Sequence, residues 1–397
     1  MFYEDMWMEI LSKLPVKSLL RFSCVSKYFQ SLICDPSFVK LHLQNSSKNT
    51  HFLLSYLNHA YNFSFLFSSH INSCFEDPLS FFSLYDMPKP QMHNYRVFGS
   101  CNGLVCLRKW NNDGSYLFHL LNPATKKLFK NLHCVLNPPE DQEVVMLGFG
   151  YDDSRDTYKL VAIVGHQNSK EYLFRSLICS MEDKSGWRDI QNFPANPTAM
   201  EGDGIYLKDT LNWVGLLDFE YIENDDVDLT FNYVVIISLD LETEAYTQLL
   251  LPRDISGVII YNFCSNGQEL YRNEAPLIGV LGGCLSLFLH NITTNHLSIW
   301  QMKEFGNQNS WTPWLNTSLQ DLGIKSTLDS DFLPLCMVEN DRDIIIIHRS
   351  FDDDLQAVIY NQRDKTVKSR MICGNIDWIY PFHYVESLVF PSRLKLL

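Results

Sequence analysis

The sequence has no apolar run approaching the ~20 residues that a membrane-crossing helix needs. Its longest apolar patches, around Val234–Leu239 and Ile344–Ile347, are strand-sized. It lacks any Cys-x-x-Cys pair, although it holds 11 cysteines, an odd number. That pattern argues for free thiols in a reducing compartment over a disulfide framework. Basic residues are scarce: 32 against 46 acidic ones, a net charge of −14. A chain so acidic does not suit general nucleic-acid binding, which needs a basic surface for phosphate contacts. The first residues, Met1-Phe2-Tyr3-Glu4-Asp5, are acidic and show no signal-peptide pattern, so the expected home is cytoplasmic or nuclear.

Motifs of chemistry are missing too. Gly148-Phe149-Gly150 has Asp153 where a dinucleotide fingerprint needs a third glycine, and no Gly-Lys-Ser/Thr phosphate loop occurs. There is no Gly-x-Ser-x-Gly elbow. Cys284, His290 and His296 lack the close ligand pairs of a zinc site and read as a core cysteine with surface histidines. Cys101 and Cys106 read as packed inside a strand pair. Asp225, Asp226 and Asp228 lack the glycine and final Glu of a calcium loop. Asp152, Asp153 and Asp156 could be read as glycosidase acids, but turn-forming carboxylates explain them better. No metal or cofactor is expected.

What is present divides into two unlike parts. Residues 1–45 carry five basic and four acidic side chains and read as three or four short helices. Trp7, Ile10, Leu11 and Leu14 form an amphipathic stripe. Pro15 suits the first turn of a second helix reaching Val25, with Leu19, Leu20 and Phe22. Ser26 is placed to cap a third, Lys27–Cys34, with Phe29, Leu32 and Ile33. Asp35-Pro36 punctuates, and Ser37–Leu43 forms the last turns. Some 40 residues cannot bury this much apolar surface alone, so the helices need a cover. That cover is either another protein or the chain's own second domain.

From about residue 95 the chain is aromatic-rich and repeats a loose pattern: a glycine turn, two apolar strands, a polar turn and a short strand. Units start at Gly99, Gly148, Gly204, Gly279 and about Leu335, at intervals of 49, 56, 75 and 56. Expected strands include Leu104–Leu107, Tyr116–Leu121, Tyr158–Ile163, Gly204–Trp213, Tyr233–Leu239, Cys284–His290 and Ile344–Arg349. Such spacing suits a β-propeller of about six blades; two packed sheets are the alternative. A remaining blade would pair His51–Phe67 with Tyr384–Phe390 and so remove sheet edges. The fold class is therefore α+β multidomain. It has a helical module over 1–45, a connecting segment with possible first blade strands over 46–94, and an all-β domain over 95–397.

Residues 209–252 hold ten Asp or Glu and no Lys, Arg or His. The densest stretch, Asp218, Glu220, Glu223, Asp225, Asp226 and Asp228, reads as a solubilising loop or as a patch for a basic partner.

The segment Leu14-Pro15-Val16-Lys17-Ser18-Leu19-Leu20-Arg21-Phe22-Ser23-Cys24-Val25-Ser26-Lys27, with Asp35-Pro36-Ser37-Phe38-Val39-Lys40-Leu41-His42-Leu43, resembles the F-box of plant F-box proteins. Phe2-Tyr3 stand where that family opens with Leu-Pro, and Phe29 where it usually has Trp. Further on, Gly99-Ser100-Cys101-Asn102-Gly103-Leu104-Val105-Cys106, Asn122-Pro123-Ala124-Thr125 and Gly148-Phe149-Gly150-Tyr151-Asp152 resemble the kelch-like F-box-associated domain. So do Leu297-Ser298-Ile299-Trp300-Gln301-Met302 and Tyr384-Val385-Glu386-Ser387-Leu388-Val389. The resemblance implies a non-catalytic substrate receptor of an SCF-type cullin–RING ubiquitin ligase. Its F-box would bind a SKP-type adaptor and, through it, the cullin and RING subunits. The residues taken for adaptor contact are Leu14, Pro15, Leu19, Leu20, Val25, Phe29, Leu32 and Ile33, without separating surface from module core. The acidic stretch would face a target protein. The layout also resembles the S-locus F-box subfamily, whose targets are basic ribonucleases. The rival reading is a carbohydrate-binding or glycosidase-like propeller with a non-functional helical leader.

Overall fold

The computed structural model describes residues 2–46, 50–58, 63–70, 95–130, 134–166, 173–182, 185–197, 202–217, 228–230, 233–255, 259–262, 276–291, 294–324, 332–337, 343–349, 355–373, 378–391 and 395–396. Four helices lead: α1 (Phe2–Leu11), α2 (Val16–Ser23), α3 (Lys27–Ile33) and α4 (Pro36–Ser46). Local chemistry sets their ends. The Ser26 hydroxyl accepts from the Phe29 amide at 3.2 Å and caps α3. Asp35 Oδ1 accepts from the Ser37 and Phe38 amides at 2.8 and 3.3 Å, and Pro36 fills the first helical position of α4.

Among the described residues seven antiparallel sheets follow, six of them blades and one a small ribbon. Blade 1 runs Tyr95–Cys101, Leu104–Trp110, Tyr116–Asn122 and Lys127–Lys130; blade 2 runs Gln142–Asp152, Thr157–His166, Arg175–Ser180 and Arg188–Asp189. Blade 3 contains Ile205–Leu207, Thr210–Leu216, Val234–Asp240 and Tyr246–Leu250, with Asn196–Pro197 alongside. Blade 4 is Leu277–Leu281, Cys284–Asn291, His296–Met302 and Trp311–Ser318. Blade 5 is Phe332–Met337, Asp343–Arg349, Leu355–Asn361 and Thr366–Cys373. Blade 6 takes Trp378–Val385 from the end of the chain and Thr50–Asn58 and Phe63–His70 from its beginning, with His51 opposite Tyr384. A small ribbon pairs Asp228–Thr230 with Ile259–Asn262.

The first strand of each blade lies innermost, and these strands touch their neighbours in cyclic order from blade 1 to blade 6 and back to blade 1. This is a β-propeller arrangement, and its core lies between blades. Phe98, Phe118, Phe129, Phe149 and Leu160 fill the junction of blades 1 and 2. Met146, Val161, Trp213 and Ile237 fill the next. Tyr95, Val97, Leu121 and Tyr384 join blade 1 to blade 6. The repeated unit-starting glycines have a packing cause. A Cβ on Gly148 would lie 2.6 Å from the Trp213 ring of the next blade. The glycine lets that indole close over the strand and donate from Nε1 to the Leu147 carbonyl at 3.1 Å.

Three expectations need correction. The stretch Gly204–Trp213, read as one strand, is a hairpin: Lys208 and Asp209 turn it with φ of 47° and 60°. Asp209 tolerates this conformation but Lys208 before it does not favour it, so the pair lacks the Asn-Gly or Asp-Gly signature of such a turn. The closing strand of blade 6 ends at Val385, and residues 386–391 run on without regular structure. The thiols are not all free. Cys134 and Cys179, both buried and 45 residues apart in sequence, form a disulfide that joins the segment after blade 1, bridged to Tyr116 of blade 1 through Leu136, to the third strand of blade 2. Cys24, Cys34, Cys101, Cys106 and Cys284 are free, the middle pair buried as expected.

Candidate adaptor interface

The helical module has two apolar sides. One is a core: Leu11, Val16, Leu19, Leu32, Ile33 and Phe38 are buried together. Two residues of the β domain complete that core, Leu388 and the partly buried Ala124. His42 sits at its edge, buried, with its Nε2 2.9 Å from the Leu14 carbonyl and Ser46 beside the ring. Burial lowers the His42 pKa, and the Leu14 contact only partly offsets it. Outside, the Lys40 ammonium reaches Asp153 of blade 2 at 2.9 Å.

The other side is open. Met6, Trp7, Ile10, Leu20, Phe22, Val25 and Tyr28 are exposed large apolar residues, Val25 by 71%. Phe29 makes this surface continuous. Its ring lies 5.6 Å from Trp7, 5.9 Å from Phe22 and 5.6 Å from Tyr28 by centroids, edge-on or tilted in each case. A soluble protein rarely leaves such a cluster on one small module uncovered, and its size and continuity mark a protein-docking surface.

The eight sequence-predicted residues therefore divide. Leu20, Val25 and Pro15 stand exposed, and Leu14 and Phe29 are half-buried. Leu19, Leu32 and Ile33 face inward and belong to the module's own core. Met6, Trp7, Ile10, Phe22 and Tyr28 lie outside that set. The stripe Trp7–Ile10 was visible, but helical spacing alone does not say which of two apolar sides faces water. Among the acidic residues taken for target contact, Asp218, Glu220, Glu223, Asp225 and Asp226 lie outside the described residues; Asp228 opens the small ribbon strand.

The carboxylates Asp152, Asp153 and Asp156 have structural partners. Asp152 is buried and 2.8 Å from the buried Lys159 ammonium. Its Oδ1 also accepts from the Ser154 and Arg155 amides, each at 3.1 Å, shaping the turn. Burial would raise its pKa, but hydrogen bonds from Lys159, Ser154 and Arg155 prevail and hold it far below the usual carboxylate range. Lys159 also meets Glu244 of blade 3 at 3.0 Å, and Arg188 clamps both Glu244 oxygens at 2.6 and 2.7 Å. Asp153 pairs with Lys40, and Asp156 accepts from the Tyr151 hydroxyl. Among the described residues no group of three His, Cys, Asp or Glu could hold a metal ion.

A short helical module with an open apolar face, seated on a propeller, defines a protein-docking class of molecule. Comparison with known proteins gives the family. Residues 3–41 match the F-box domain, and residues 50–390 match the F-box associated beta propeller domain. An F-box/kelch-repeat protein of Arabidopsis thaliana is 30% identical over 317 residues, covering 79% of this chain and 78% of that one. The Arabidopsis F-box protein CPR1 is 25% identical over 332 residues, covering 78% and 71%. The propeller of the Trilobed protease from Pyrococcus furiosus superposes with a TM-score of 0.40 at 9% identity, over 82% of this chain and 81% of that one. The chain belongs to the family of F-box proteins with an F-box associated beta propeller domain. It has the organisation of an SCF-type substrate receptor, a non-catalytic subunit.

Proposed function

We propose that this chain binds a SKP-type adaptor through the exposed apolar face centred on Phe29, and a target protein through the far end of its propeller. The observation that carries the first part is the continuity of that face on the side of the module away from Leu388 and Ala124. Its expected contacts are Trp7, Ile10, Leu20, Phe22, Val25 and Tyr28 around Phe29, with Leu14 and Pro15 at the margin. Transfer of ubiquitin then follows from proximity. Holding target lysines beside a loaded conjugating enzyme raises their effective concentration, and no side chain of this subunit takes part in the chemistry. The reading includes a cytoplasmic or nuclear location, where the chain would meet such an adaptor.

Topology supports the second part. The helical module meets the propeller at the third-to-fourth turn of blade 1 (Ala124) and the first-to-second turn of blade 2 (Asp153). In an antiparallel meander these turns share one end, and second-to-third connections leave at the other. The two most acidic connections, 217–233 with its six carboxylates and 350–354 with Asp352, Asp353 and Asp354, are both second-to-third connections. An acidic far end suits a basic target, attracted faster at low salt than at high.

The test is affinity purification of the tagged full chain under proteasome inhibition, followed by mass spectrometry. Recovery of an adaptor with a basic protein whose capture falls steeply with salt supports the reading. Recovery of no adaptor contradicts the first part, and a salt-insensitive or acidic target contradicts the second.

A further inference from the structure

We infer that the segment Glu386–Pro391 is a strap that fixes the orientation of the adaptor-binding module on the propeller, with Leu388 as its positioning residue. The inference rests on the proposed adaptor function for its consequence, though not for its geometry. The strap leaves the innermost strand of blade 6 and crosses to the outer edge of blade 1, where Lys395–Leu396 pairs with Lys127–Lys130. It has no regular structure, so side chains must hold it. Asn122 does so from both amide hydrogens, donating to the Ser387 carbonyl at 3.1 Å and the Val389 carbonyl at 2.9 Å. The Asn122 side chain is fully buried, where an unmade bond would be costly. Ser387 is buried against Gly103, where a Cβ would lie 2.3 Å from its hydroxyl and φ is +75°. The Ala124 amide donates to the Tyr384 hydroxyl at 3.1 Å, tying the Asn-Pro-Ala-Thr turn to the start of the strap.

With the strap pinned on either side of residue 388, the Leu388 side chain enters the core of the helical module among Leu19, Ile33 and Phe38. A hydrophobic plug on a pinned backbone has little freedom, and the surface it fills can seat in one way. The Lys40–Asp153 pair, largely exposed, adds little strength but marks the docked register. The arrangement explains why the Asn-Pro-Ala-Thr and Tyr-Val-Glu-Ser-Leu-Val motifs, about 260 residues apart in sequence, belong to one device. In a ligase that works by proximity, a fixed angle between the two ends decides which lysines come within reach.

The Lys40–Asp153 contact gives a direct readout. A zero-length carbodiimide treatment of the full chain, read by peptide mass spectrometry, should yield the Lys40–Asp153 cross-link in the wild type. In Leu388→Asn, and in the milder Leu388→Ala, the yield should fall by about tenfold as undocked states become populated. Leu388→Met should restore it. Propeller melting measured alongside should be unchanged for at least Leu388→Ala. In the assembled ligase, the set of this chain's own lysines that become ubiquitylated should widen in the same variants. Equal cross-link yield in wild type and Leu388→Ala, or an unchanged lysine set, overturns the inference. Adaptor capture by the wild type is scored separately: its failure removes the proposed function and leaves the cross-link result standing.

Discussion

The Lys159 ammonium lies 2.8 Å from Asp152 with both side chains shut away from water, at the junction where blade 2 meets blade 3. Glu244 completes the site at 3.0 Å from the same ammonium. Removing one partner leaves an uncompensated buried charge, so Lys159→Met should lower unfolding free energy by about 3–5 kcal/mol. The double variant Lys159→Met with Asp152→Asn should lose less than the sum of the single changes. Urea unfolding of the three variants measures both.

The same network sets an acid limit. Asp152 and Glu244 both titrate below their ordinary range, because donors from Lys159 and Arg188 outweigh their burial. A carboxylate depressed in the folded state contributes stability above its unfolded pKa, and that contribution is lost as pH falls through the folded value. From this network, stability should hold between about pH 7 and 5 and decline below about pH 4. A urea midpoint that rises on acidification below pH 4 would contradict the assignment.

His42 sets a second, milder dependence nearer neutrality. Its folded pKa lies below the ordinary value because it is buried. The unfolded side chain therefore takes a proton first, and the helical module should loosen as pH drops below about 6.5. Hydrogen exchange of α2–α4 amides between pH 5.5 and 7.5, corrected for intrinsic rates, tests it. His42→Gln should abolish the dependence.

Adjacent leucines in α2 should behave oppositely. Leu19 is fully buried, and Leu19→Ala should destabilise the module by about 2–5 kcal/mol. Leu20 is exposed, and Leu20→Ala should change stability by less than about 0.5 kcal/mol. Near-equal effects in exchange or thermal unfolding would mean that the two sides of the module are wrongly assigned.

Much of this fold was legible because its determinants are local. Ser26 caps a helix one turn before Phe29, and Asp35-Pro36 starts another, both readable from neighbours in sequence. The unit-starting glycines carried the blade spacing because each must admit a ring from a packed strand. What escaped reading was long-range. Cys134 and Cys179 give no pairing signal across 45 residues. Lys208-Asp209 turn a hairpin without the Asn-Gly or Asp-Gly signature. Leu19 and Leu20 look alike in a helical pattern, and only the packing of Leu11, Leu32, Ile33, Phe38 and Leu388 on one side decides which is core. The acidic stretch 218–226, legible as charge, lies outside the described residues, so its reading as a target surface rests on where the flanking strands end.

The central claim is that the open face of the helical module is covered by a separate protein. Isothermal titration of a recombinant SKP-type adaptor into the full-length chain tests it most directly, with Leu20→Asp and Val25→Asp as comparisons. The wild type should bind. Each variant should weaken binding by at least about 30-fold, as loss of a buried interface anchor does, with propeller melting unchanged. A wild type that fails to bind, or variants that bind as it does, would contradict the account.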